Sequence, residues 1–281
     1  MLNLLRQMIA LHEFRGCRLR GAAALIAATL AGPAYGQEAD LAKKLSNPVA
    51  AMISVPFQFN YDGRIGYTEK GERSTLNIQP VVPIHLNSEW NLISRTILPI
   101  ISRRKIALGS DAQFGTGDIT QSLFLSPAKP GRSGIIWGIG PVFHIPTASD
   151  ELLGTGRWGA GPTAVVLKQE GPWTFGALAN HVWSFGGATR GGVSAMNVTF
   201  LQPFISYTTP DAWTFSLNSE ATYDWVSSKL TVPINAQIAK LIKVGGQPIS
   251  LFAGARYYLS SPQAGPKGFG LRAGITFLFP T

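Results

Sequence analysis

From Trp213 to Trp225 the side chains change character at nearly every step. Trp213, Phe215, Leu217, Ala221, Tyr223 and Trp225 fall on one face, and Thr214, Ser216, Asn218, Glu220, Thr222 and Asp224 on the other. Successive side chains of a strand point to opposite faces, so this stretch reads as a strand with one greasy and one wet side. A helix would scatter the same residues around its circumference. Twelve segments read this way: 53–61, 74–86, 90–101, 117–126, 134–146, 158–169, 172–185, 197–207, 212–225, 230–243, 248–259 and 268–279. The first sets Ile53, Val55, Phe57, Phe59 and Tyr61 against Ser54, Gln58 and Asn60, and the last lines up Phe269, Leu271, Ala273, Ile275, Phe277 and Phe279. The third, sixth and tenth alternate less cleanly.

No stretch after residue 36 reaches 18 uninterrupted apolar residues, so the sequence offers no helical membrane span there. Charged residues make up only 14 % of the chain, against 10 % aromatics and 31 glycines, a balance that suits a barrel facing lipid. Short and long connections mostly alternate, as periplasmic turns and outer loops do; the four-residue gap between the ninth and tenth segments breaks the trend. Trp90, Trp137, Trp173 and Trp213 start strands that follow short turns, while Trp158, Trp183 and Trp225 sit near long-loop ends. Indole rings favour the membrane–water boundary, so these residues form two expected girdles. At about 3.3 Å per residue and about 45° tilt, Trp173 to Trp183 and Trp213 to Trp225 cover roughly 23–28 Å, close to the apolar band of such barrels. The expected fold is all-β: a transmembrane antiparallel up-and-down β-barrel of about 12 strands, with both termini on the periplasmic side.

Arg15, Arg18 and Arg20 precede a short apolar core, GAAALIAATLA at 21–31, and the small-residue stretch around Ala34 and Gly36. That order describes a secretory signal peptide, residues 1–36, with the mature chain starting at Gln37. Residues 37–52 form an N-terminal segment, helical as far as Pro48, that is either periplasmic or tucked into the lumen. The barrel proper is 53–281. The single Cys17 leaves with the signal, which excludes a disulfide framework, a zinc ribbon and a thiol nucleophile. The formal charge of +9 becomes +6 once the four Arg and one Glu of 1–36 are removed. The basic residues are scattered, without the aromatic-interleaved patch of a nucleic-acid site, so no nucleic-acid partner is expected. The expected partners are outer-membrane lipid, the barrel-assembly machinery and a small organic solute.

Eight prolines resist the pattern. Pro56, Pro80, Pro83, Pro99, Pro141, Pro162, Pro203 and Pro233 lie inside expected strands, where a residue without an N–H cannot donate to the ladder. Bulges or kinks are the expected accommodation.

The blocks LAKKLSNPVAAMISVPFQFNYDGRIG (41–66), TLNIQPVVPIHLNSEWNLISRTILPI (75–100), GPTAVVLKQEGPWTFGALANHVWSF (161–185), FLQPFISYTTPDAWTFSLNSEATYDW (200–225) and the closing GLRAGITFLFPT resemble a family of bacterial outer-membrane proteins. Its members are labelled "transporter" or grouped with the outer-membrane proteins of meta-pathway phenol degradation. The resemblance covers nearly the whole mature chain. It implies a β-barrel and the passage of small organic solutes, and it brings no catalytic residues. The usual outer-membrane ending is an aromatic last residue; here Pro280 and Thr281 follow Phe279.

Glu220 and Asp224 share the wet face of the ninth strand, about 13 Å apart along it and too far apart for a glycosidase pair. They are expected to pair with lumen-facing Arg95, Arg256 and Arg272, beside Asn60, Asn77, Gln79, Asn91, Asn218, Asn235 and Gln237. Phe252, Leu178 and Val166 are expected as apolar lumen contacts. His181 stands on an otherwise apolar outer face, where a Ser partner would suggest a lipid hydrolase, but Ser184 and Asn180 fall on the opposite face. His85 and His144 show no metal-ligand spacing. GTGRWG at 154–159 has the spacing of a dinucleotide fingerprint without its βαβ setting, so it reads as a loop. The expected function is passive diffusion of small organic solutes through a narrow polar lumen, with no catalytic, metal or cofactor site. The alternatives are a barrel without an open pore and an outer-membrane lipid hydrolase.

Overall fold

The computed structural model describes residues 32–106, 112–188 and 195–279. The expected signal peptide falls largely on residues 1–31, and Pro280 and Thr281 follow the last strand; both lie outside the described residues. One helix, α1 (Gly32–Leu45), precedes twelve staves. These are β1 (Ile53–Ile65), β2 (Gly71–Ile78 and Val81–His85), β3 (Trp90–Arg104), β4 (Gln113–Thr116 and Ile119–Pro127), β5 (Ile135–Ile145) and β6 (Arg157–Glu170). They continue with β7 (Trp173–Gly187), β8 (Asn197–Thr208), β9 (Trp213–Ser219 and Ala221–Asp224), β10 (Lys229–Val244), β11 (Gln247–Ser260) and β12 (Gly268–Phe279).

Each stave pairs antiparallel with its neighbours in sequence, and β12 returns to pair with β1 from Ile53↔Phe279 to Asp62↔Gly270. Closure leaves no edge, so backbone donors and acceptors are met within the sheet, which is what hydrocarbon demands. The turns at one end of the barrel are short, two to seven residues. Gly245 and Gly246, both at positive φ (57° and 85°), make the two-residue turn from β10 to β11, a conformation that residues with a Cβ rarely adopt. β1 runs past its expected limit to Ile65 and β2 begins early at Gly71, so the loop between them shrinks to residues 66–70; β3 likewise extends to Arg104.

Alternation sets the faces. Trp137, Trp158, Trp173, Trp183, Trp213 and Trp225 are all exposed on the outside, together with Phe175, Phe215, Leu217, Leu251 and Leu271. At one rim Trp90 meets Trp137 edge-on (5.8 Å), Trp173 meets Tyr207 (4.9 Å), and the Lys240 ammonium sits 5.1 Å over the Trp213 ring. At the other, Tyr223 packs on Trp225 (4.7 Å) and Tyr257 on Phe269 (4.8 Å). Val166 is a correction: it is 51 % exposed on the outer face, and Val165 and Leu167 are the buried pair. Two consecutive valines blurred the parity of β6.

The prolines are absorbed in three ways. Pro80 falls in the break of β2, and the pairing of β10 with β11 shifts between Val232 and Pro233. Pro141 and Pro162 stand opposite each other, and each opens a gap in the ladder on its far side: between Ser122↔Val142 and Leu125↔Ile139, and between Ala160↔Trp183 and Thr163↔Asn180. A missing N–H is thereby turned toward one unpaired interval instead of shifting the register. Pro56, Pro99 and Pro203 likewise keep register with one neighbour and face an interruption on the other: the break of β2, the break of β4 (between Ile97↔Thr120 and Ile100↔Thr116) and the break of β9 (between Leu201↔Ala221 and Phe204↔Asn218). Pro83 pairs with Ile93 on β3.

The N-terminal segment closes over the end of the barrel that carries the short turns. Leu41, Ala42 and Met52 bury against Ala212, Leu241 and Leu278. Beyond the helix, Val49 reaches into the lumen and packs with Ile93, Phe124, Val165, Leu167 and Leu178. Each such aliphatic side chain removed from water contributes about 1.5–3 kcal/mol. The Lys43 ammonium donates to Gly171 O (2.6 Å), Gln169 donates to Lys43 O (2.9 Å), and Lys243 donates to Gln37 Oε1 (3.2 Å). The helix ends at Leu45, three residues before Pro48.

Candidate functional site

Six staves send polar side chains into one side of the lumen. Glu220, at the one-residue break of β9, accepts from Arg272 on β12 through both of its carboxylate oxygens (2.9 and 2.8 Å) and from Arg256 Nη2 on β11 (2.7 Å). Arg272 Nε donates to Asn60 Oδ1 (2.7 Å), and Arg256 Nε to Asn235 Oδ1 (2.8 Å). Asn235 in turn donates to Asn218 Oδ1 (2.8 Å). A second carboxylate, Asp62, accepts from Tyr258 Oη (2.7 Å) and Arg73 Nη2 (3.0 Å), with Arg256 Nη1 at 3.4 Å. Arg272 and Asp62 side chains are only 2 % exposed. Charges this far from water persist because each is met by an opposite charge and the remaining N–H groups by amide oxygens.

Asp62, Arg73 and Tyr258 were absent from the sequence expectation. Asp62 has the parity of Asn60, and Tyr258 that of Arg256, so the signal was alternation continued past Tyr61. Asp224 differs from expectation. Its carboxylate accepts from the backbone N–H of Val226 (2.9 Å) and Ser227 (3.4 Å) and from the Ser227 hydroxyl (2.5 Å), capping its own turn instead of meeting an arginine. A carboxylate at the last residue before a tight turn finds backbone donors closer than any partner across the lumen.

Arg95 also differs. It projects inward from β3, but its hydrogen bond goes to Gln79 Oε1 (3.2 Å). Among the described residues it has no carboxylate within ion-pair distance; Glu220 acts on it only across the lumen. Arg95 and Gln202 form a common wall between two cavities, each of about 290 Å³. One lies toward the N-terminal segment, beneath Asn47 and Pro48, with Gln58, Gln79, Gln237, Phe204 and Phe252 in its lining. The other lies toward the outer loops, between Thr120, His144, Asn180 and Phe200.

His144 belongs to a separate cluster that ties down the loop after β5. Asp118, in the break of β4, accepts from Thr155 N (2.6 Å), Thr155 Oγ1 (2.9 Å), Ala148 N (3.1 Å) and His144 Nε2 (3.1 Å). A Cβ on Gly154 would lie 2.6 Å from Asp118 Oδ1, so the glycine of GTGRWG permits close approach of this carboxylate. Among the described residues no group of three His, Cys, Asp or Glu side chains could hold a metal ion.

On the outer face His181 Nδ1 meets Thr199 Oγ1 (2.7 Å), which also accepts from Trp225 Nε1 (2.8 Å), and the imidazole stacks 4.2 Å from Trp183. Ser184 and Asn180 have the opposite parity. Ser184 Oγ accepts from Met196 N, and Asn180 lines the outer cavity. Among the described residues His181 therefore has a hydroxyl beside it but no third group to orient its other nitrogen, which is buried and unpartnered. The triad arrangement is incomplete.

No protein-family model matches the chain, and no curated protein matches it. Among solved structures it is similar to the COG4313 outer membrane channel from Pseudomonas putida F1, at 14 % identity and a TM-score of 0.65, over 82 % of this chain and 96 % of that one. Shallower likenesses are to the outer membrane phospholipase A from Escherichia coli (13 % identity, TM-score 0.45, 80 % and 96 % covered) and to the KdgM porin (12 %, 0.45, 80 % and 99 %). At these identities the similarity is one of fold. With its closed ring of strands, apolar outer belt and aromatic rims, the protein has the fold of an outer-membrane β-barrel.

Proposed function

We propose that the protein is a channel through which small organic solutes cross the outer membrane by passive diffusion. The observation that carries this reading is the lumen's incomplete filling: two cavities, lined by amide, hydroxyl and guanidinium groups among apolar side chains, meet at Arg95 and Gln202. A barrel with a purely structural role has no need of amide and guanidinium groups around empty space. Selection then comes from width and charge, without chemistry on the solute. Export through a signal peptide cleaved after Gly36, and insertion by the barrel-assembly machinery, belong to the same proposal. So does the resemblance to outer-membrane proteins grouped with meta-pathway phenol degradation, which points to organic solutes.

Liposome swelling with the refolded protein tests it. Small organic solutes are expected to enter at rates that fall steeply with solute size. Swelling no faster than empty liposomes, from protein shown to be folded, removes the channel and leaves the second reading, a barrel without an open pore. The Val49 plug and the ion-pair network, which occupy part of the lumen, favour that second reading.

A further inference from the structure

We propose that Arg95 is an anion-binding site within the lumen, and that its ligand is a small monocarboxylate with an apolar body. The inference rests on the channel reading for its purpose and on separate observations for its chemistry. Among the described residues, the network around Asp62 and Glu220 sets these two carboxylates against four guanidinium groups: Arg73, Arg256 and Arg272 in ion pairs, and Arg95 across the lumen. Arg256 and Arg272 are held on Glu220, and Arg73 on Asp62. Arg95 is left over. A guanidinium offers five N–H donors in a planar fork, and the hydrogen bond to Gln79 uses one of them.

Position makes the surplus useful. Arg95 and Gln202 border both cavities, so a solute passing between them meets this guanidinium. Glu220, the carboxylate that acts on Arg95 across the lumen, is already shared by two other arginines, so it neutralises Arg95 only in part.

The surroundings define the rest of the ligand. A carboxylate matches the fork with two parallel hydrogen bonds. In the inner cavity Phe204 and Phe252 offer ring surface, and Gln79, Gln202 and Gln237 offer amides that solvate an anion without repelling it. Gly274 keeps room for the Phe252 ring, since a Cβ there would lie 2.5 Å from its Cζ. A cavity of about 290 Å³ is near the lower end of volumes that hold small ligands.

The test is equilibrium binding to the folded mature protein in detergent, with benzoate as the probe, benzamide as its uncharged isostere and inorganic phosphate as an anion lacking the apolar body. Benzoate is expected to bind about tenfold or more tighter than benzamide. Arg95→Gln is expected to erase that preference, and Arg95→Lys to keep part of it. In a planar bilayer under a KCl gradient, the reversal potential is expected to report anion preference that falls in Arg95→Gln. Equal binding of benzoate and benzamide overturns the proposal without any variant, as does a preference that survives Arg95→Gln. Phosphate binding as tightly as benzoate overturns the apolar-body assignment. The two readings fail separately. Arg95-dependent binding without current keeps the site and removes the channel; current without anion preference does the reverse.

Discussion

Replacing Glu220 with glutamine removes one negative charge and almost no volume. In the native lumen this carboxylate accepts three N–H groups, two from Arg272 and one from Arg256, at 2.7–2.9 Å. The arginine side chains are 2 % and 10 % exposed, so water cannot replace the lost partner. Taking one member from a buried ion pair costs about 3–5 kcal/mol, because the stranded charge keeps its desolvation penalty. Glutamine retains one acceptor oxygen but points an NH2 at a guanidinium. Asp62 still faces Arg256 at 3.4 Å. The expected loss is therefore near the lower end, about 3 kcal/mol. Asp224→Asn is the internal control: it lies at an exposed turn, keeps one acceptor, and is expected to change stability by no more than about 0.5 kcal/mol. Urea unfolding of protein refolded into micelles, followed by tryptophan fluorescence, measures both. Equal destabilisation by the two substitutions would refute the claim that Glu220 anchors a desolvated network.

Three other perturbations give distinct outcomes. Deleting residues 37–52 removes Leu41, Ala42, Val49 and Met52 from the lumen mouth, and single-channel conductance is expected to rise. Gly274→Ala places a Cβ 2.2 Å from Phe57 O and 2.5 Å from the Phe252 ring, so urea unfolding should show a loss of about 1–3 kcal/mol. Hydrogen bonds from Lys267 and Arg64 hold the Glu69 carboxyl below its usual range and tie loop 66–70 to loop 261–267. A depressed carboxylate pKa means the tie is present above the ordinary Glu value and is lost as pH falls through the lowered one. Loop-to-loop distances from paired spin labels should hold from neutral pH to below the ordinary value of 4.5, then lengthen; Lys267→Ala should give the lengthened distance already at neutral pH and remove the transition.

Parity was the legible part of this fold. It gave the faces of β1, β9 and β12 correctly because apolar and polar residues alternate there over most of their length. It failed at Val165–Val166, where two like residues in succession carry no phase. It stopped short at Tyr61 because Gly63 and Arg64 break the alternation, and so missed Asp62, half of the network's negative charge. Glu220 and Asp224 share parity and charge, yet only one meets the arginines. The difference is Asp224's position beside a turn whose free backbone N–H groups outcompete distant guanidiniums. The docking of 37–52 left no periodic signal, because a short segment covering a barrel mouth is positioned by the wall it meets. Which arginine remains without a carboxylate is likewise a property of three-dimensional pairing.

The most direct test of an open, polar passage is planar-bilayer recording with the full mature protein. Heat-modifiable migration should first establish that the barrel is folded. Discrete, small current steps are expected from a narrow lumen partly covered by its own N-terminal segment. A folded protein that inserts but gives no current at any voltage contradicts the account.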